Sequence, residues 1–499
     1  MKNASIVTNT LMLYIRMIIL MGVSLYTTRI ILESLGITDY GIYNIVGGIV
    51  SLLSIVTTSQ AGAINRFIAF AIGEKTENGA NEAFSAGIIV QFILGFLVLI
   101  LGESIGLCIL NSYLDIPENR LFAANIVFQL SLFTFVINMI SVPYNAAIIA
   151  TEQMSIFALI GLFEGLALLI SAIIVKNSGF DKLIIYATLV FFVSIIIRTF
   201  YVQFCRRTIR FCHYTKTNKH ICMRILSFGG WNMIGVMSGI LKEQGIALLF
   251  NLFFGPSLNA AKGISTQVGT AVTKFSENFL TAVRPRVTKS VAANEVNYRN
   301  NLVFLSSKWA FFLLLIISFP LLINAHSMMH VWLKEVPLYA VSLTRLCLIQ
   351  SLIDVISIPV VMLILAHGNI KNYQIWVGGV QLLNIPAALT MILVYNNPIV
   401  AAYCSCCISL LCVFLRLFMA KKLVNFPIMN FAKATMIKCI LVSFSCCTIQ
   451  LVMWEKTSFQ NQPLLLRMIF SALIVIISIA IMGVSKKEWA VGITYINRL

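Results

Sequence analysis

The chain has 499 residues, 59% of them hydrophobic and only 11% charged, with a formal charge of +18. Too few polar side chains exist to cover a water-facing surface, which excludes an ordinary soluble globular domain. The basic excess does not indicate a nucleic-acid partner either. Lys and Arg number about 21 in loops on one side of the expected membrane and about 6 on the other, as the positive-inside rule requires.

Runs poor in charge recur from end to end. About fourteen are long enough to cross a bilayer as helices, centred at about residues 20, 55, 97, 135, 165, 192, 239, 270, 313, 352, 384, 408, 443 and 473. The expected fold is therefore an all-α polytopic membrane protein. Met1-Lys2-Asn3 leads into the first span without a small-residue cleavage site, so that span is expected to be retained. The stretch from Arg206 to Arg224 is charged, carries His213 and His220, and has no apolar period. It is the best linker. The expected organisation is a six-helix bundle over 1–213, a second over 221–420, and two additional spans with a cytoplasmic tail over 421–499. Both termini then face the cytoplasm.

Two echoes support a duplicated bundle. Ile140-Ser141-Val142-Pro143 recurs in the second half as Ile356-Ser357-Ile358-Pro359, with Asn138 answering Asp354. Leu35-Gly36 recurs, at nearly the same offset, as Phe254-Gly255. With six spans per half, the copies enter the membrane in the same direction, a parallel pseudo-repeat. Pro143 and Pro359 each remove a backbone donor and are candidate hinges. Gly47-Gly48 and Gly378-Gly379 are expected to allow close helix contact.

Ionisable residues within spans are costly unless they face protein, water or a partner. They are Arg16 in the first span, Glu164 in the fifth, Arg198 in the sixth, and Lys242 and Glu243 in the seventh. The eighth carries Lys262, Lys274 and Glu277, and the tenth Arg345 and Asp354. Spans one, two, seven and eight of a two-bundle transporter would line a central cleft. Lys262, Lys274, Arg16 and Lys242 then make that cleft cationic and suited to an anionic head group. Arg284, Arg286 and Lys289 could collect the anion at the inner mouth. Asp354, Glu164 and Glu243 are candidate acids for coupling to a Na+ or H+ gradient. No cofactor and no metal is expected: the twelve cysteines and His326, His330 and His367 lack ligand spacing. No nucleophile constellation or phosphate loop indicates an enzyme.

Two stretches carry a resemblance. One is Asn251-Leu252-Phe253-Phe254-Gly255-Pro256 followed by Asn259-Ala260-Ala261-Lys262-Gly263-Ile264. The other is Asp39-Tyr40-Gly41-Ile42-Tyr43-Asn44-Ile45-Val46-Gly47-Gly48. Glu243-Gln244-Gly245-Ile246 and Thr281-Ala282-Val283 with Pro285, Thr288 and Lys289 add to it. Together they resemble the Wzx-type O-antigen and capsule flippases of the multidrug/oligosaccharidyl-lipid/polysaccharide exporter (MOP) superfamily. The likeness runs over residues 8 to 420. It implies two six-helix bundles facing each other in a V, in a bacterial cytoplasmic (inner) membrane. It implies flipping of undecaprenyl-diphosphate-linked oligosaccharide by alternating access, beside a polysaccharide polymerase and glycosyltransferases. Lys262 stands where that pattern usually has arginine. The sequence departs from it at Arg284 and Arg286, and in a second span that reads as lacking an interior base. The alternative is a cation-coupled multidrug exporter of the same superfamily, which would need acids in the cleft. A membrane enzyme would need a sizeable outer loop, which the short outer connections do not provide.

Overall fold

A computed structural model of the chain describes residues 6–112, 117–254, 256–333, 336–456 and 462–484. Met1-Lys2-Asn3, Gly255 of the second echo, and the expected tail beyond 484 lie outside the described residues. In chain order the helices are α1 (Ile6–Leu52), α2 (Ser54–Gly73), α3 (Glu77–Leu101), α4 (Leu107–Ser112), α5 (Glu118–Ile140), α6 (Val142–Ala150), α7 (Met154–Lys176) and α8 (Lys182–Thr208). They continue as α9 (Lys219–Phe254), α10 (Pro256–Ala292), α11 (Val296–Ile323), α12 (Ala325–Trp332), α13 (Ala340–His367), α14 (Lys371–Leu382), α15 (Asn384–Tyr395) and α16 (Pro398–Val424). Last come α17 (Ile428–Phe431), α18 (Ile437–Lys456) and α19 (Leu464–Ser478). Among the described residues there is no β-strand.

Helices stand at every expected centre. Among the described residues 12 are long and apolar enough to cross a membrane. The two expected spans left out, near 55 and 270, are helical as α2 and α10. Their hydropathy is lowered by Gln60, Asn65 and Arg66 in the one, and by Lys262, Lys274, Glu277, Arg284 and Arg286 in the other. Large apolar side chains such as Phe96, Phe163 and Phe418 point outward and stay uncovered, which suits hydrocarbon and not water.

The chain folds as two compact units, Met1–Val236 with Thr288–Asn294, and Met237–Val287 with Glu295–Leu499. The first unit takes in the start of α9, and the last two spans pack within the second. There Lys308, buried on α11, donates to the carbonyl of Gly483 at 3.2 Å. The first core gathers Val46, Val127, Phe128 and Leu132. The second gathers Phe250, Leu258, Leu343 and Ile392.

The echoed glycine marks a joint. Gly36 has φ +76° and ψ 174° and breaks the helical path of α1, so the first span ends there and the second begins. In the second half α9 ends at Phe254 and α10 begins at Pro256. The echoed prolines are treated differently. Ser141 interrupts the helix just before Pro143, whereas α13 runs unbroken through Pro359.

At one member of each expected glycine pair there is open space rather than close helix contact. A Cβ at Gly47 or Gly379 would meet nothing within 4 Å. Close contact occurs at Gly161 and Gly165, one turn apart on α7, against Arg16 and Leu20, one turn apart on α1. Gly102 and Gly106 receive Leu132 and Phe128 in the same way. Small residues at this spacing form a groove into which a facing ridge fits. A double glycine puts its two members on different helical faces, so only one could serve.

One polar clamp joins three helices of the first unit. Arg120 at the start of α5 donates to both carboxylate oxygens of Asp39 (2.8 and 2.6 Å) and to those of Asp181 (2.6 and 3.2 Å). Asp181 also caps α8, accepting from the backbone of Leu183 and Ile184. The Arg120 guanidinium first, and then those amides, hold the Asp181 carboxyl below the usual carboxylate range, against an opposing effect of burial.

Two outcomes follow from this frame. Gly36→Ala should lower stability by about 1–3 kcal/mol from backbone strain alone, since no neighbour crowds the site; thermal unfolding in detergent measures it, and an unchanged Tm would remove the argument. A depressed carboxyl lends stability that is present above its unfolded pKa of about 3.9 and disappears as pH falls through the folded value. The Tm of the wild type should therefore drop more steeply below about pH 4 than that of Asp181→Asn.

Candidate functional site

Each unit holds a short line of charges along its helices, part of it buried. In the first, Arg16 of α1 lies in the groove of α7, its guanidinium carbon 4.5 Å from the Phe157 ring centroid. A Cβ on Gly161 would come within 2.5 Å of the Arg16 Nε, so the glycine is what admits the arginine. That Nε is buried and has no hydrogen-bond partner among the described residues. Nearby, Arg198 of α8 pairs with Glu164 of α7 at 2.6 Å and donates to the Asn138 side chain at 2.7 Å. Its guanidinium sits 5.4 Å from the Tyr201 ring centroid. Two cations and one acid leave this cluster net positive.

In the second unit, Lys262 of α10 pairs with Glu243 of α9 at 3.0 Å. Lys242 is buried beside that pair and makes no hydrogen bond or ion pair among the described residues. Lys242 and Asp354 both lie within electrostatic reach of the Cys406 and Cys412 thiols. Asp354 of α13 accepts from the Ser409 hydroxyl at 3.1 Å and faces Arg416 of α16 at 3.6 Å. Arg416 donates to Ser357 at 2.7 Å and also bonds the buried Tyr373 hydroxyl. The sequence Lys262, Glu243, Lys242, Asp354, Arg416 thus alternates in sign and again ends net positive. A narrow cleft lined by Lys262, Ser265, Cys347 and Gln350 opens beside it.

The expected residues are thereby sorted. Lys242, Glu243 and Lys262 come together, while Arg16 belongs to the other unit. Lys274 is exposed on α10 and makes no ion pair with Glu277 or any other described acid. Glu277 acts electrostatically on Arg284 instead, one heptad further along α10. Arg284 and Arg286 flank the buried Pro285, each with contacts of its own. Lys289 is tied to Glu152 at 2.8 Å. The three candidate coupling acids Glu164, Glu243 and Asp354 each sit beside a base.

Sequence reasoning missed Arg416, Arg66, and the aromatic partners Phe157, Tyr201 and Tyr373. Arg416 had a signal: it follows Arg198 at nearly the offset that separates Asp354 from Asn138 and Ser357 from Ser141. The same helices of each half carry the same clasp, with the acid moved from α7 in the first to α13 in the second. Arg66 corrects the reading of the second span as free of basic residues, because the span runs on to Gly73 and Arg66 lies inside it.

The Arg198–Glu164 pair is mostly buried, and removing one partner of such a pair strands the other. Glu164→Gln or Arg198→Met alone should destabilise by about 3–5 kcal/mol, and the double variant by less than the sum. A double-mutant cycle by thermal unfolding checks this. Strict additivity would mean the pair is not coupled.

No protein-family profile matches the sequence, and no curated protein matches it. Solved structures do. An outward-facing multidrug resistance MATE family transporter of the MOP superfamily superposes with a TM-score of 0.70 at 13% identity, over 86% of this chain and 97% of that one. A MOP superfamily transporter from Pyrococcus furiosus, reported to have a binding pocket of reversed polarity, gives 0.68 at 12%, over 86% and 97%. A crystallised MATE point mutant gives 0.70 at 12%, over 87% and 97%. The chain has the all-helical, two-lobed pseudo-repeat fold of the MATE transporters of the MOP superfamily.

Proposed function

We propose that the chain is a membrane transporter that exports an amphipathic solute by alternating access. The fold supports this, since the solved proteins that share it include a multidrug resistance transporter. Those neighbours favour multidrug-type export over polysaccharide flipping. The lines of charge qualify that reading. Among the described residues Glu164, Glu243 and Asp354 are each matched by a base, while Lys242, Lys274 and the Arg16 Nε have no carboxylate. Helices with spare cations, buried at Lys242 and at the Arg16 Nε and exposed at Lys274, suit an anionic or zwitterionic amphiphile better than an organic cation.

That observation keeps a second reading, flipping of an undecaprenyl-diphosphate-linked oligosaccharide. Its diphosphate would meet Lys242 and Lys274 of the second unit while the prenyl tail stays in lipid. On either reading the protein works in the bacterial cytoplasmic membrane with both termini inside, driven by a Na+ or H+ gradient. On the second it acts beside a polymerase and glycosyltransferases.

A deletion strain separates the two. Raised drug sensitivity with normal surface polysaccharide supports the exporter; lost polysaccharide with normal drug tolerance supports the flippase; no change in either overturns both. Complementation with Lys274→Ala should cut transport of an anionic substrate roughly ten- to a hundredfold, the worth of one charge-assisted contact. It should leave protein levels and cationic dye export unchanged. Full transport by that variant would remove Lys274 from the pathway.

A further inference from the structure

Away from these clusters, two arginines converge on one aromatic group in the first unit. Helix α2 runs antiparallel to the first turns of α9. Asn232 donates to the Ser59 carbonyl at 3.2 Å, Gly229 lies directly on the Gln60 side chain, and Phe67 meets Phe228 edge-on at 6.1 Å. Beside that ring pair, the Arg66 guanidinium carbon lies 4.9, 5.3 and 5.2 Å from the ring centroids of Phe67, Phe70 and Phe228. Arg224 approaches the same Phe67 ring at 5.6 Å. The two guanidiniums are close enough to repel one another.

Depth indicates what would relieve that repulsion. Arg66 is two turns from the end of α2 and Arg224 less than two from the start of α9, so both lie within about 10 Å of their helix ends. That is where the head groups of a bilayer meet its hydrocarbon. A free phosphate ion would have to leave water to reach phenyl-walled arginines, whereas a lipid phosphate already resides at this level. The rings present their negative faces to the guanidiniums and hold them as a fixed pair. A phosphodiester then bridges them through the planar donor forks that arginine offers. Met223, exposed beside Arg224, gives an acyl chain an apolar surface. Lys219 and Lys216, both exposed close by in sequence, add to the local positive potential.

We propose that Arg66 and Arg224, braced by Phe67, Phe70 and Phe228, form a binding site for the phosphodiester of an anionic phospholipid. The site stands whichever solute the protein carries. Native mass spectrometry of the full-length protein, in mixed micelles of phosphatidylglycerol or phosphatidylcholine, tests it. The wild type should retain phosphatidylglycerol in preference to phosphatidylcholine. Arg224→Gln, a change at an exposed side chain, should retain about fivefold less, the worth of one basic residue at a membrane surface. Arg66→Lys, which keeps the charge and loses the fork, should also weaken retention while Tm holds. Equal retention by wild type and Arg224→Gln, or equal retention of the two lipids, overturns the proposal. So does displacement of the lipid by millimolar inorganic diphosphate, which would assign the arginines to a soluble anion.

Discussion

A charge placed among apolar helices must find a partner, water or the membrane surface, and this requirement orders the interior of both units. Arg198 brings α5, α7 and α8 together through Asn138 and Glu164. Arg416 does the same for α13, α14 and α16 through Ser357, Asp354 and Tyr373. Hydrophobic burial cannot choose one angle between helices in hydrocarbon, because lipid tails are as apolar as leucine. A polar clasp with a single satisfied geometry can. Each clasp therefore sets how its helices meet, and the apolar side chains fill the space that remains.

The clasps also date the architecture to a duplication. Their members recur at or close to the register of the proline echo, and the helix caps keep that register too: Asp181 caps α8, and its counterpart Asn397 caps α16. What differs is the location of the acid. The first half holds it on α7 as Glu164 and keeps a neutral Asn138 on α5, whereas the second has Asp354 at the position equivalent to Asn138. The Arg120 clamp is likewise confined to the first half; in the register of the glycine echo its place is taken by Tyr339, which has positive φ. Two copies of one scaffold have thus acquired different charge patterns.

The fold class leaves the substrate open. A shared MATE fold accommodates pockets of opposite polarity, as the neighbour from Pyrococcus furiosus illustrates. In this chain the decisive quantity is which charges are left over after pairing. Lys262, the basic residue most strongly suggested by motif, is matched by Glu243, while Lys242 beside it is not. Lys289, expected at the inner mouth, is matched by Glu152. Lys242, Lys274 and the Arg16 Nε are thus left without a carboxylate among the described residues, while the residue the motif singles out is not.

Much of the protein was legible in its sequence. Hydrophobic run length marks membrane-crossing helices because backbone groups in lipid are satisfied within the helix, and here a helix stands at the centre of every run. The echoes at Gly36 and Pro143 located the repeat, and charge counting identified the buried ionisable residues. Which of those charges meet was not legible, since a partner such as Arg416 for Asp354 lies several helices away along the chain and one helix away in space. Close approach was not legible either. Gly161 and Gly165 look no different in sequence from Gly47 or Gly379 until α1 lays Arg16 and Leu20 against them. Local pattern determined what crosses the membrane; only the packing of helix on helix decided which charges are spent on one another and which remain for a ligand.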